Sequence, residues 1–367
     1  MRIVHITNHF LPSPGGVEWS VLRTAEAQAH RGDEVIVLSE TPRGQYDDAA
    51  LPFKTIRFHV PVVRPLTRLF YWRYMWSQRN LLRSADVLHF HDYTALIHWF
   101  LPLRAFILSP RYAITFHGFE HWPVRLRHRI MRSIAARICH VRFAVGEYVR
   151  KIYSHPIDAV YLGAPVRTYG RLVPAETMTF AFAGRLESDT GIDAFASVLA
   201  QLANERRQEV HLEIAGEGSL RTSLITLSSE YFHVHAHGRL ENPLALLQRS
   251  RFVIASGFLA MFEAFQTGLP VLSPALTEIK QLYLASLPDD AKLLTPMRTV
   301  EEMRCTALRA LSAEMDPEFL QRAENAFRFV SERSWDDIVC LLSSRYNISA
   351  GDSVERMRAQ STRHGEN

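Results

Sequence analysis

Gly15-Gly16 lies between an apolar run that reads as a strand, Ile3-Val-His-Ile-Thr7, and a helical pattern from Val17 to His30. Glycines at such a junction let the backbone come close to a ligand, and the free N–H groups of the helix start favour an anion. An ordinary tight turn accounts for the pair equally well. The spacing is not G-x-G-x-x-G, which disfavours a nicotinamide dehydrogenase. His233, His235 and His237 alternate as strand residues do, so they read as structural or surface groups rather than ligands. No carboxylate or His/Cys set has metal-ligand spacing, and no bound metal is expected. Cys139, Cys305 and Cys340 are widely spaced and odd in number, which fits a reducing cytoplasm better than a disulfide framework.

Charge is distributed unevenly. Arg64 to Arg83 holds five arginines and no acid, and Trp122 to Arg137 holds five more, again without an acid. The first segment also carries Leu69, Phe70, Trp72 and Trp76, and the second Leu126, Ile130, Met131 and Ile134. A basic amphipathic surface of this kind can rest on anionic lipid at the inner face of a membrane, or meet an anionic acceptor. The alternative is a core-packing helix with a solvated arginine face. The formal net charge is only +4, and no nucleic-acid-binding module accompanies the basic segments, so nucleic acid is not an expected partner. No run approaches the roughly 18 to 20 apolar residues of a membrane-spanning helix. The chain enters its first strand-like run at once, with no secretory h-region.

The elements that must position these residues alternate. Glycine turn, helix and a second apolar run, Glu34-Val-Ile-Val-Leu-Ser39, complete a βαβ unit with Ile3–Thr7, and that unit predicts a parallel sheet. Val87–His91, Tyr112–Phe116 and Val141–Val145 are further strands. The pattern restarts with Thr179–Ala183, a helix over Ile192–Asn204, Val210–Ala215, and short strands at Phe232–His235, Phe252–Ala255 and Pro270–Leu272. Phe319–Ser344 reads as one or two helices around Trp335. A chain of 367 residues suits two domains. The expected division is 1–165 and 166–335, then a helix over 336–350 crossing back to the first domain and a polar, disordered tail over 351–367. The fold class is α/β, two Rossmann-like doubly wound sheets, whose ligands gather at the carboxyl ends of the strands.

Several motifs occur in an order that resembles family 4 glycosyltransferases of the GT-B fold. They are Pro14-Gly-Gly-Val-Glu18, Arg31-Gly-Asp-Glu-Val35, Ala85-Asp-Val-Leu-His-Phe-His-Asp92, Ile114-Thr-Phe-His-Gly118, Phe182-Ala-Gly-Arg-Leu186 with Gly191-Ile-Asp193, Leu212-Glu-Ile-Ala-Gly-Glu-Gly218, His237-Gly-Arg-Leu240 and Phe262-Glu-Ala-Phe-Gln-Thr-Gly-Leu-Pro-Val271. The likeness runs from residue 1 to about 345. It implies a cleft between two domains and a nucleoside-diphosphate-sugar as substrate, with UDP or GDP as the nucleotide and no tightly bound cofactor. The acceptor would be a glycan, a lipid-linked molecule or a small molecule, and transfer would proceed with retention.

The resemblance also implies roles for residues. Arg185, after the Gly184 turn, would hold the donor diphosphate with a guanidinium fork; otherwise it is a surface arginine. Glu263 would accept hydrogen bonds from the ribose hydroxyls, or be an acid favoured at a helix start. Gly216 belongs to the second glycine turn, and the backbone of Gly238, Arg239 and Leu240 would meet the nucleobase. The N–H groups of Gly257, Phe258 and Leu259 would cradle phosphate, while Gly15 and Gly16 would approach the donor from the first domain. His117 would sit beside the transferred sugar and share the catalytic role with Arg185, or simply pack at a strand end. Two positions depart from the family pattern: Thr190 stands where a diphosphate-binding lysine is usual, and Ala255 stands eight residues before Glu263, where another glutamate is usual. Two functions fit this pattern best, while a nucleotide-sugar epimerase of the same architecture is disfavoured by the motif order. One is an active glycosyltransferase; the other is a catalytically silent relative that binds or stabilises a partner glycosyltransferase.

Overall fold

A computed structural model describes residues 1–12, 15–40, 47–60, 66–119 and 122–347. The expected tail beyond 350 and the start of the first basic segment, Arg64 included, lie outside these residues. The chain divides into two compact units: Met1–Tyr161 with the chain from Trp335 onward, and Leu162–Ser334.

The first unit is a seven-stranded parallel sheet built from β1 (Arg2–Thr7), β2 (Glu34–Glu40), β3 (Lys54–Phe58), β4 (Val87–His91), β5 (Arg111–Phe116), β6 (Val141–Val145) and β7 (Ala159–Tyr161). Its order is β3-β2-β1-β4-β5-β6-β7. Ile3, Val4 and Ile6 of β1, and Val37 and Leu38 of β2, are fully buried, as strands covered by helices on both faces require. Helix Gly16–His30 follows β1, and helix Trp335–Tyr346 packs against it in the same unit.

The second unit repeats the plan with six parallel strands: β8 (Thr179–Ala183), β9 (Val210–Ala215), β10 (Phe232–Ala236), β11 (Phe252–Ile254), β12 (Val271–Pro274) and β13 (Thr295–Met297). The order is β10-β9-β8-β11-β12-β13. Phe180, Phe182, Phe195, Leu212, Phe232, Phe252 and Phe319 form its core.

Three strands went unread in the sequence, and all three lie at sheet edges. β3 and β7 close the first sheet and β13 closes one end of the second. β7 and β13 are only three residues long, and β3 is exposed or half-buried over four of its five residues, so none offers a long apolar run. β13 even tolerates Pro296, because one side of its backbone has no ladder to complete.

Candidate functional site

Ligands of doubly wound sheets collect where neighbouring strands send their connections to opposite faces. In the second unit that point lies between β8 and β11. Arg185 leaves β8 there, its side chain 64% exposed, and its Nη2 donates to Asp189 Oδ2 at 3.1 Å. The loop after β11 brings Ser256. From helix Glu278–Leu284, Lys280 donates its Nζ to Ser256 Oγ at 2.9 Å and to the Ser256 carbonyl at 3.2 Å. The same Nζ lies 3.9 Å from Asp189 Oδ2, with the lysine side chain only 14% exposed. Burial lowers the Lys280 pKa; Asp189 opposes that shift and Arg185 adds to it. One carboxylate thus stands between two cations at the switch point.

Sequence reasoning missed Lys280, which stands 95 residues beyond Arg185 on an unrelated helix. The available signal was scarcity: the chain has four lysines, and the other three, Lys54, Lys151 and Lys292, are exposed. Thr190, at the position where a lysine was sought, is buried and donates its hydroxyl to the Glu187 carbonyl at 2.7 Å. Ala255 is buried at the end of β11, its N–H bonded to the Leu272 carbonyl at 3.0 Å.

The glycine turns meet one another. Gly184 N–H donates to the Ala215 carbonyl at 3.0 Å, and Gly216 N–H donates to the Gly238 carbonyl at 2.8 Å. A Cβ on Gly216 would collide with the Gly184 carbonyl, so the loops after β8 and β9 interlock only because that atom is missing. Gly238 takes φ +71°. Arg239 and Leu240 continue outward from it and are exposed, two strands away from β8 and therefore about 10 Å along the sheet.

Helix Phe258–Thr267 starts at Gly257, which caps it in extended conformation. Of the amides expected to cradle phosphate, that of Phe258 donates to the Tyr283 hydroxyl at 2.6 Å, with the two rings stacked 3.8 Å apart. Leu259 is half-buried in the first turn. Glu263, buried further along the helix, accepts two contacts from Arg167 Nη1 at 2.9 and 3.2 Å. Burial, with the Glu263 charge beside it, pushes the neighbouring Tyr169 hydroxyl up to about 12. Glu263 therefore already holds a charged hydrogen-bond donor, a partner the sequence did not suggest.

In the first unit the switch point lies between β1 and β4. Gly15 caps helix Gly16–His30, and Glu18 folds its carboxylate back over it, closely enough that a Cβ on Gly15 would clash. Burial raises the Glu18 pKa. The helix start expected to attract an external anion carries one of its own.

His117 leaves β5 on a pinned backbone. Its N–H donates to Asp92 Oδ1 at 3.1 Å, and its carbonyl accepts from the Tyr148 hydroxyl at 3.1 Å. Asp92 has φ +63°, an unusual conformation for a residue with a side chain. The fully buried Arg132 guanidinium lies 4.1 Å from the Tyr153 ring centroid and donates to the Gly118 carbonyl. Burial, reinforced by the Arg132 charge, lowers the His117 pKa to about 3.

Behind His117 the sheet face is lined with imidazoles. His91 Nδ1 lies 2.9 Å from His117 Nε2, His91 Nε2 lies 2.9 Å from His5 Nδ1, and His5 Nε2 lies 2.6 Å from Gln28 Oε1. His89 stacks on His91 and is held by Thr115 Oγ1 at 2.8 Å and by the Tyr346 hydroxyl at 2.7 Å. Ligand atoms of His5, His89 and His91 lie within 4.8 Å of one another, a proximity that spacing along the chain did not reveal. All six ring nitrogens of these three residues nevertheless have hydrogen-bond partners in the protein.

The second basic segment forms helix Leu126–Ile138. Leu126, Ile130 and Ile134 are 72%, 47% and 37% exposed, one above another at four-residue spacing. Arg125, Arg127 and Arg129 are exposed beside them, whereas Arg132 turns inward. Among the described residues, no helix is long and apolar enough to cross a membrane.

A model described as Glycosyltransferase Family 4 matches residues 14–162, and one described as Glycosyl transferases group 1 matches residues 177–313. The chain is 26% identical over 394 aligned positions to GDP-mannose:cellobiosyl-diphosphopolyprenol alpha-mannosyltransferase of Xanthomonas oryzae pv. oryzae, covering 96% of this chain and 98% of that one. Its fold matches Alr3699/HepE of Anabaena, solved with UDP and glucose, at a TM-score of 0.74, 14% identity and coverage of 94% and 99%. It also matches a TarM mutant of S. aureus, solved with Fondaparinux, alpha-GlcNAc-glycerol and UDP, at a TM-score of 0.72, 10% identity and coverage of 95% and 100%.

Proposed function

Since the chain belongs to the family 4 glycosyltransferases of the GT-B fold, we propose that it moves a sugar from a nucleoside-diphosphate donor to a lipid-linked acceptor of the cell envelope, with retention. The observation that carries this reading is the pair of cations, Arg185 and Lys280, on either side of Asp189 at the switch point of the second sheet. A diphosphate has the charge and oxygen spacing to replace that carboxylate. The two cations would then oppose the negative charge that builds on the leaving phosphate. A phosphate oxygen takes the acceptor hydroxyl's proton as the glycosidic bond forms. Arg185 and Lys280 are thus given the work expected of Arg185 and a lysine at Thr190.

Glu263 is assigned the ribose hydroxyls, exchanging part of its contact with Arg167. Gly184, Gly216 and the turn over Gly238, Arg239 and Leu240 are assigned the nucleotide's remaining backbone contacts, with Gly257 and Leu259 donating to phosphate. The Xanthomonas relative acts on a diphosphopolyprenol, and its name makes GDP-mannose the first donor to test, with UDP-sugars second. Helix Leu126–Ile138, with an apolar stripe between arginines, supports contact with an anionic membrane where such an acceptor resides.

The test is release of nucleoside diphosphate from a panel of GDP- and UDP-sugars, with and without polyprenyl-diphosphate glycans, followed by NMR of the product's anomeric configuration. Acceptor-dependent release with an unchanged anomer supports the reading. Binding of nucleotides without turnover across the panel overturns it in favour of a silent subunit. That second reading is favoured by one observation, the buried Ala255 where the family carries an acid.

A further inference from the structure

His5 and His91 sit on the adjacent strands β1 and β4, and His117 follows the end of β5, the next strand. The register sets His5 beside His89 and His91 beside Thr115, so the three imidazoles run diagonally across the sheet. His5 and His91 are buried completely or nearly so, and His117 is half-buried. Ring centroids are 5.2 Å apart from His5 to His91 and 5.2 Å apart from His91 to His117. The row begins at Gln28 on helix Gly16–His30, which covers that face.

Hydrogen-bond bookkeeping along the row has a direction. Burial keeps each ring neutral, so each ring has one N–H and one lone pair. Gln28 Oε1 only accepts, so His5 Nε2 must donate. His5 Nδ1 is then a lone pair, and His91 Nε2 must donate to it. His91 Nδ1 is left as an acceptor, and His117 Nε2 must donate to that. His117 therefore keeps a bare Nδ1, which meets no protein group among the described residues.

We propose that Gln28, His5 and His91 are positioning residues: through their continuous hydrogen-bond row they lock His117 in the Nε2–H tautomer, so that its Nδ1 presents a lone pair to a sugar hydroxyl. The identity of that ligand rests on the glycosyltransferase reading; the tautomer does not. His89, clamped between Tyr346 and Thr115, stacks on His91 with centroids 4.7 Å apart and holds its ring plane. An apolar side chain at position 5 or 91 would suit an interior sheet face with no polar group to satisfy, so an uninterrupted polar row there is a functional signature.

The test begins with the intact protein, labelled with 15N-histidine and free of sugar donor. Two-bond 1H–15N correlation spectra distinguish the two neutral tautomers and the cation, with signals assigned by comparison with His117→Gln. His117 is expected as the Nε2–H form. Gln28→Met keeps the side-chain length but removes the acceptor, and should convert His117 to a mixture. Gln28→Glu restores an acceptor and should restore the single tautomer. Where transfer is measured, Gln28→Met should raise the donor KM by about three- to tenfold with little change in kcat, the effect of one weakened hydrogen bond. Finding His117 as the Nδ1–H form or as a cation in the parent protein overturns the proposal, as does an unchanged His117 spectrum in Gln28→Met. Retention of one equivalent of zinc or another transition ion, lost in His91→Ala, also overturns it, because the metal would take lone pairs that the row uses. The tautomer is read from the parent protein, with His117→Gln needed only for assignment, and it requires no activity, so failure of the transfer assay leaves it interpretable.

Discussion

Lys280→Met tests the second sheet's site most directly. Methionine keeps most of the length and apolar packing of the lysine stem while removing its charge. The amine now donates to Ser256 and lies 3.9 Å from Asp189 Oδ2. In the nucleotide complex it is assigned a charge-assisted hydrogen bond to a phosphate oxygen, worth about 1.5 to 3 kcal/mol. At 1.4 kcal/mol per decade, its loss should weaken UDP or GDP about 10- to 150-fold. The apoprotein should respond differently. Burial lowers the folded Lys280 pKa below the ordinary 10.5, so the folded chain holds fewer protons than the unfolded chain between those values. Stability accordingly rises with pH through that window, and at neutral pH the buried charge opposes folding. Removing it should leave the melting temperature near that of the parent while abolishing most of the nucleotide-induced rise. Calorimetric titration with UDP, GDP, uridine and guanosine separates the possibilities. A loss below about twofold for both diphosphates refutes the assignment, and so does an equal loss for the bare nucleosides, because a phosphate contact cannot discriminate in that way.

Asp189→Asn removes the carboxylate between the cations and should tighten diphosphate binding by about three- to tenfold, the gain being limited by solvent around the half-exposed acid; weaker binding in the same titration would remove Asp189 as an internal competitor. Gly216→Ala drives a methyl group into the Gly184 carbonyl and should destabilise the protein by about 3 kcal/mol, read as a lower urea midpoint with an unchanged slope. Acid should destabilise the folded protein early, because burial lowers His5 to about 4 and His117 to about 3 from the ordinary 6.5. The unfolded chain takes up protons below pH 6.5 that these folded imidazoles refuse, so stability is intact above that pH and falls by about 1.4 kcal/mol per unit per imidazole beneath it. Urea unfolding at stepped pH measures the slope, and His5→Phe should make it shallower.

The sequence was legible where one local rule decided the structure. Central strands such as Thr179–Ala183 are short apolar runs because both faces are covered, and Gly184, Gly216 and Gly238 mark the turns where such strands end. Three of the four edge strands were missed because two are only three residues long and β3 is largely solvated, whereas the fourth, β10, was legible as Phe232–His235. The same limit applies to the sites. His5 looks like one polar residue in Ile3-Val-His-Ile-Thr7, and His89 and His91 look like alternation within Val87–His91. Only strand order, which places β1 beside β4 and β4 beside β5, joins them into one row. Lys280 was illegible for a related reason: its partner Ser256 follows a different strand, and nothing local links the two. Spacing within a motif led to Thr190, whereas packing between elements supplied the cation.

Thr190 and Ala255 depart from the family pattern in different senses, and the difference bears on whether the site still works. A lost charge can be replaced from any element that reaches the same point, because an ammonium acts on phosphate as a nearly spherical charge. Lys280 stands beside Asp189 at the switch point, where the proposed function puts the diphosphate, and it is held there against a desolvation penalty. A lost carboxylate is harder to replace, because accepting hydrogen bonds from particular sugar hydroxyls requires an oxygen at particular positions. Ala255 is buried, and no acid stands among its neighbours from Ser256 to Phe262. If the protein is an active transferase, hydroxyl recognition then rests on an acceptor other than a carboxylate at position 255. On that reasoning the donor sugar should be one whose recognition does not depend on an acid there. Introducing Ala255→Glu should not improve transfer, because the buried backbone there leaves the new acid without a solvated position. A gain in rate from that substitution would show instead that the missing acid is what limits the enzyme.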